Sequence, residues 1–302
     1  MKSFNAHGKI LLTGEYLVLH GAVALGLPTK LGQSMTVHQS EAGGVMWTAY
    51  RPNGPWFTAS FNPYSLEVVK TDDHSKAERL AKIFQAIRLL NPSAFQPGLR
   101  FETHLDFDPE WGLGSSSTLI SNLAQWAEVN PYELLRMTFG GSGYDIACAT
   151  ADTPIHYQLH QGTPLVSPVA FHPSFAERLF FVYQGQKQTS SAEVGQFNSH
   201  FNPSEHANDM ATVSKVSLSL PEVTDYDQFC DLMLMHELAV ARCTDKTPVQ
   251  LQYRDFKGTV KSLGAWGGDF LLAATEMPYE DVKAYFNDKG LTTIFKYQDL
   301  IL

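Results

Sequence analysis

Gly112-Leu113-Gly114-Ser115-Ser116-Ser117 is the stretch whose residue types are best suited to chemistry. Glycines let main-chain N–H groups approach an anion closely, and the first turn of a helix offers unpaired donors at the positive end of its dipole. Serine hydroxyls can reach phosphate oxygens or a magnesium ion. The hexamer thus has the layout of a phosphate cradle, a glycine turn opening into a hydroxyl-rich helix start. Taken alone, the same residues also make an ordinary turn and helix cap. The rest of the chain has to decide.

Several other chemistries drop out. There is no G-x-x-x-x-G-K-[ST] loop, no protein-kinase catalytic-loop pattern and no G-x-G-x-x-G leaving a strand. His156 and His160 are four apart in a strand-like stretch with no carboxylate between them, so they read as strand histidines and not zinc ligands. His236-Glu237 begins like a zinc-protease motif and lacks the second histidine. Cys148, Cys230 and Cys243 are odd in number and widely spaced. They read as small buried apolar residues of a reducing compartment, and a cytoplasmic location is expected.

The elements that must position these residues follow from length and periodicity. A chain of 302 residues divides into two domains, because single cores stop growing at about 250–300 residues. Pro164, Pro168 and Pro173 cluster near the expected boundary, giving 1–168 and 169–302. The balance of 22 basic against 31 acidic side chains, a net charge of −9, opposes a sequence-independent grip on nucleic acid or an anionic membrane. Any anionic ligand must be held by a local site. No apolar run approaches the ~18 residues of a membrane span. Gly8-Lys9, Gly14-Glu15 and His20-Gly21 interrupt every candidate signal-peptide core.

Residues 9–19 read as β-structure broken at Gly14-Glu15, and 33–60 as short strands separated by glycine and proline turns. Leu80, Ile83, Phe84, Ile87 and Leu90 recur at helical spacing between Ala77 and Leu90. Leu99 to Phe107 alternates as a strand that runs through Pro109-Glu110-Trp111 into the glycine turn, and Leu119 to Val129 continues as a helix. In the second half, a strand at Leu179 to Tyr183 feeds a polar loop, with a helix starting near Ser190 or Ser191. Tyr226 to Arg242 reads as a long helix in which Met233 and Met235 fill the core. Gly264 to Asp269 then leads into an apolar strand, Phe270 to Ala274.

Four glycine-marked segments stand out in order: Gly8 to Glu15, Gly112 to Ser117, Gly141 to Asp145 and Gly264 to Asp269. Over nearly its full length this ordering resembles the GHMP kinase superfamily, named for galactokinase, homoserine kinase, mevalonate kinase and phosphomevalonate kinase. The resemblance implies an α+β, two-domain GHMP kinase fold. Its N-terminal domain would be like the second domain of ribosomal protein S5, and its C-terminal domain ferredoxin-like. Gly112, Leu113, Gly114, Ser115, Ser116 and Ser117 would wrap the triphosphate of ATP, with Ser116, then Ser115, lent to Mg2+. Asp145, after Ser142-Gly143, would accept or orient the proton of the attacking group. A helix N-cap before Ile146 is its plainer reading. Lys9 would neutralise charge developing on the transferred phosphoryl group.

The sequence departs from the family's pattern in three places. Met137-Thr138-Phe139 stands where a magnesium-binding glutamate is expected, leaving Glu133 as the nearest candidate ligand. Trp266 interrupts the last glycine run, and Glu110-Trp111 precedes the phosphate loop; either would narrow a nucleotide pocket. The segments at Thr13–Leu19, Gly141–Asp145 and Gly267–Asp269 resemble phosphomevalonate kinases, whereas His20-Gly21 and Ala24 resemble mevalonate kinase.

Glu15, His20, Ser142, Gly143, Lys187, Gly267, Gly268 and Asp269 are the expected substrate-side residues, Lys187 holding a carboxylate or phosphate. The resemblance implies transfer of the γ-phosphoryl group of ATP to an isoprenoid-precursor acid, phosphomevalonate first and mevalonate second. The partner would be a small acid or phosphorylated acid, with a homodimer allowed for. A diphosphomevalonate decarboxylase-like enzyme and a non-catalytic nucleotide-binding homologue are the alternatives.

Overall fold

The computed structural model describes residues 1–41, 43–185, 190–264, 266 and 269–302. The chain forms two compact units that interleave along the sequence. The first comprises Met1–Gly8, Leu31–Pro109 and Leu113–Thr150; the second comprises Lys9–Lys30, Glu110–Gly112 and Ala151–Leu302. Strands β1 (Lys2–Thr13) and β2 (Ala24–Gln39) contribute residues to both.

The first unit continues with β3 (Val45–Arg51), β4 (Gly54–Phe61), β5 (Val68–Thr71), α1 (His74–Leu90) and β6 (Leu99–Leu105). Then come α2 (Ser115–Ala127), α3 (Pro131–Thr138) and α4 (Tyr144–Ala149). Its strands lie in the order β5-β4-β3-β6-β2, antiparallel except for the parallel β3–β6 pair. Along β6, Leu99, Phe101, Thr103 and Leu105 point inward and alternate with Arg100, Glu102 and His104, as period two requires. Helix α1 starts where the Asp73 carboxylate accepts the Lys76 N–H, and it buries Leu80, Ile83, Phe84 and Ile87. Phe84 meets Trp47, Phe61 and Phe101 in the core. Each such fully enclosed side chain contributes roughly 1.5–3 kcal/mol.

Residues Pro109–Trp111 form a 3-10 turn, correcting the reading of an unbroken strand up to the glycine hexamer. Proline lacks the N–H a ladder needs and its fixed φ suits the first position of such a turn.

The second unit adds β7 (Ile155–His160), β8 (Thr163–Pro168), β9 (Leu179–Tyr183), α5 (Ser190–His200), α6 (Ala207–Ser219) and α7 (Tyr226–Thr244). It ends with β10 (Thr259–Leu263), β11 (Phe270–Ala274), α8 (Tyr279–Asp288), β12 (Ile294–Lys296) and α9 (Tyr297–Leu300). Here β7 pairs with Ala24–Gly26 of β2 and with β8, while an antiparallel sheet runs β10-β11-β9-β12. Every residue of β11 is buried, which explains its unbroken apolar run. Met233 fills the core as expected, but Met235 is exposed: it lies on the outer side of α7, off the face that buries Phe229, Met233, His236 and Val240. Among the described residues, no helix is long and apolar enough to cross a membrane.

Candidate functional site

In the second unit, Lys9, Gly112, Gly264 and Asp269 line one crevice with Ile10, Leu11, Leu263 and Phe270. Its volume is about 10 Å³. β1 supplies Lys9, while Gly264 and Asp269 stand at the two ends of the connection from β10 to β11. The glycines are needed here. Gly112 and Gly264 have φ of +71° and +65°, and a Cβ on Gly112 would stand 2.4 Å from Asp269 Cγ. On Gly264 it would stand 3.0 Å from Asp269 Oδ2. The Asp269 carboxylate therefore occupies space that two missing side chains leave open. Beside it, Trp111 packs on Phe295, and the Tyr183 hydroxyl donates to the Glu110 carbonyl at 3.0 Å.

In the first unit, the rest of the hexamer forms the start of α2. Gly114 is its N-cap in the left-handed region, Leu113 is buried, and the first-turn N–H groups of Ser115, Ser116 and Ser117 fall at the positive end of the helix. The three hydroxyls differ. Ser117 Oγ is buried and donates to the Gly114 carbonyl at 2.8 Å, Ser115 is half-buried, and Ser116 is exposed. Thr118 Oγ1 donates to Gln33 Oε1 and Asn122 Nδ2 to the Gln33 carbonyl, pinning the next turn to β2.

Asp145 is the second residue of α4 and not its cap. Gly143, at φ +84°, holds that position, and Asp145 Oδ1 accepts the Ile146 N–H at 3.1 Å. Ser142 precedes it, half-buried. Glu133 is exposed in the first turn of α3, which Asn130 caps.

Glu15 was expected at the substrate, but it is enclosed and faces a buried cation. Its Oε1 lies 2.5 Å from Lys261 Nζ, and neither side chain is exposed. His236 Nε2 accepts the Gly14 N–H at 2.9 Å and stands 3.3 Å from Glu15 Oε2. Accepting at Nε2 fixes a neutral ring with its proton on Nδ1. Beside them Glu237 accepts from the Val249 and Ser262 N–H groups and the Ser262 hydroxyl. Burial pushes Glu15 up to about 7, with Lys261 pulling the other way. Burial, aided by Lys261, holds His236 well below the usual imidazole range, and burial also raises Glu237.

Lys261 escaped the sequence reading, and Glu237 entered it only within an incomplete zinc-protease motif. The one available signal was a lysine inside the otherwise uncharged strand Thr259–Leu263.

His20 is half-buried, 3.0 Å from Asn198 Oδ1 and against the rings of Phe197 and Phe201. Trp266 is buried with Tyr16, Leu17, Phe197, Val213 and Val240, and it does not line the Lys9 crevice. Its main-chain N–H donates to the Tyr16 hydroxyl, which Lys246 and Glu193 flank. Lys187, Gly267 and Gly268 lie outside the described residues.

The chain has the two-domain α+β fold of the GHMP kinases. Among the solved structures it resembles is the Streptococcus pneumoniae phosphomevalonate kinase in complex with phosphomevalonate and AMPPNP, at 17% identity and a TM-score of 0.72, covering 98% of this chain and 100% of that one. The Methanococcus jannaschii mevalonate kinase matches at 14% identity and TM-score 0.72, covering 97% and 96%. A D-glycero-D-manno-heptose 1-phosphate kinase from Bacteroides thetaiotaomicron matches at 15% and 0.68, covering 99% and 95%. No protein-family model and no curated protein matches the sequence.

Proposed function

We propose that this chain is an ATP-dependent phosphotransferase acting on a small acid, with phosphomevalonate the first acceptor and mevalonate the second. The observation that carries this reading is the crevice of Lys9, Gly112, Gly264 and Asp269, continuous in sequence with the serine-rich start of α2. Phosphoryl transfer needs little covalent help from a protein; positioning and charge stabilisation dominate. The first-turn N–H groups of α2 suit phosphate oxygens. Lys9 neutralises charge on the transferred group, and Asp145 takes or orients the proton of a hydroxyl acceptor.

The donor set fits Mg2+, a hard cation that takes oxygen ligands. Ser117 spends its hydroxyl on Gly114, whereas Ser116 presents its own to solvent. Ser116, with Asp145 or Glu133, would hold the ion, which supplies charge neutralisation when bound. Lys187 and the Gly267–Asp269 segment are assigned to the acceptor. Phosphomevalonate ranks first because of the residues around Thr13–Leu19, Gly141–Asp145 and Gly267–Asp269, and because a similar structure is a complex of phosphomevalonate and AMPPNP.

A coupled ADP-release assay over mevalonate, phosphomevalonate, diphosphomevalonate, homoserine, galactose and a heptose tests this. Magnesium-dependent release is expected, greatest with phosphomevalonate. Silence across the panel with ATP binding confirmed would overturn the phosphotransferase reading, and CO2 release from diphosphomevalonate would replace it with a decarboxylase.

A further inference from the structure

Away from the Lys9 crevice residues, α6 and α7 bring together three side chains of mixed ligand chemistry. His206 is the residue before α6, Asp209 is the third residue of that helix, and Cys243 is the penultimate residue of α7. One ligand atom from each lies within 4.8 Å of the others, and His206 Nδ1 stands 3.5 Å from Asp209 Oδ2. The geometry points to a zinc-binding site formed by His206 Nδ1, Asp209 Oδ2 and Cys243 Sγ, with water or another small ligand in the fourth position.

A tetrahedral ion with bonds of about 2.0–2.3 Å keeps its ligand atoms roughly 3.5 Å apart. The histidine and aspartate already have that spacing. A ligand atom of Cys243 lies within 4.8 Å of one from each of the other two, so side-chain rotation brings the sulfur to the same spacing. Imidazole, carboxylate and thiolate together suit zinc, whereas magnesium prefers oxygen alone, so this donor set is chemically separate from the one around Ser116.

The surroundings hold two of the three ligands in place. Phe201 stacks on the His206 ring at 5.3 Å and 15°. The Arg242 guanidinium donates to Asp209 Oδ1 from Nε at 3.0 Å and from its terminal nitrogen at 2.6 Å, leaving Oδ2 turned towards His206. Such outer contacts fix a ligand's orientation. Arg242 also sets the charge. With a divalent ion, one thiolate, one carboxylate and the guanidinium, the site keeps a net positive charge of one. The Cys243 thiol proton leaves to solvent on binding. In sequence the three ligands are separated by 3 and 34 positions, a spacing that no short pattern reveals.

The test uses the metal-stripped full chain without nucleotide, so its outcome does not depend on the phosphotransferase reading. Zn2+ is titrated against a chromophoric chelator and Co2+ is followed by absorption. One equivalent of zinc, a thiolate-to-cobalt charge-transfer band, tetrahedral d–d bands and a zinc-dependent rise in Tm are expected. Cys243→Ser should abolish the charge-transfer band and, like His206→Ala, weaken zinc binding by about tenfold or more. If Cys243→Ser fails to fold, His206→Ala and Asp209→Asn decide the matter. Failure of the native chain to bind zinc, or binding that all three substitutions leave unchanged, would overturn the site. The cluster would then be an ion pair between Arg242 and Asp209 with two polar neighbours.

Discussion

The Glu15 carboxylate and the Lys261 ammonium form an ion pair 2.5 Å long, with both side chains fully buried. The pair joins the turn after β1 to strand β10, and so ties the strand carrying Lys9 to the strand that ends just before Gly264. Taking two charges out of water is expensive, and their attraction offsets the cost only while both are present. Lys261→Met alone should therefore destabilise the chain by about 3–5 kcal/mol. The double variant Glu15→Gln/Lys261→Met should lose much less than the sum of the single losses. Urea unfolding of the four chains measures this cycle, and additive losses would show that the two groups do not depend on each other.

The same cluster sets two opposing pH dependences. Glu15 is raised in the folded chain from 4.5 to about 7 by burial, so folding favours its protonated form. Its stabilising contribution is complete below pH 4.5 and is lost as the pH rises towards 7. His236 is held neutral by burial, well below 6.5, so the unfolded chain takes up a proton that the folded chain refuses. That term costs stability as the pH falls below 6.5. Against Glu15→Gln, the native chain should lose ground between pH 4.5 and 7 and hold level above. Against His236→Gln, it should lose ground only below 6.5. Denaturation midpoints across this range give both differences, and flat lines would contradict the shifts.

Gly112→Ala probes the crevice by two separable effects. At φ +71° an alanine costs roughly 1–2 kcal/mol from backbone strain alone. Its Cβ would also meet the Asp269 carboxylate at 2.4 Å. Adding Asp269→Ala removes the collision and leaves the strain. The double variant should recover part of the Tm that the single one loses, but no phosphotransfer activity. A Gly112→Ala chain as stable as the native one would mean that Asp269 moves aside freely.

Much of this fold is legible in the sequence because period and face agree. β6 alternates residue by residue, and α1 repeats its apolar positions on one side. Pro109–Trp111 is too short to show any period, so it passed for the end of a strand. Met235 looked like core because its neighbours Leu232 and Met233 are apolar, yet it lies on the outer side of α7. In the site, the glycines were readable from local chemistry: Gly112, Gly114, Gly143 and Gly264 all have positive φ. The partner of Glu15 was not, because Lys261 is 246 positions away and only the folded chain brings the two together. The plainer reading of Asp145 as a helix cap fails because the left-handed turn comes two residues earlier, where Gly143 takes that position.

Ser116 and Ser117 are adjacent and should fail differently. Ser117 Oγ donates to the Gly114 carbonyl inside the protein, so Ser117→Ala should lower stability by about 0.5–1.5 kcal/mol. Ser116 is exposed and carries no such burden, so Ser116→Ala should leave Tm within about a degree. Under the magnesium assignment, Ser116→Ala should raise the Mg2+ concentration needed for half-maximal ADP release and depress turnover. Equal magnesium dependence in native and variant chains would remove Ser116 from the metal site and move attention to Ser115.

Asp145→Asn distinguishes acceptor types through elementary acid–base chemistry. A phosphate monoester has a second pKa of about 6 and is already a dianion at neutral pH, so it attacks without a base. A hydroxyl must lose its proton, and a positioned base accelerates such a step by about 10²–10⁴-fold. Asparagine has nearly the same shape, and its amide oxygen can still accept the Ile146 N–H, so the start of α4 should survive. Turnover with phosphomevalonate should therefore fall by less than about tenfold, whereas turnover with mevalonate should fall by about a hundredfold or more. Steady-state kcat values for both acceptors decide this. A loss of equal size on the two would assign Asp145 to binding or metal support, since those roles do not depend on whether the acceptor carries a proton.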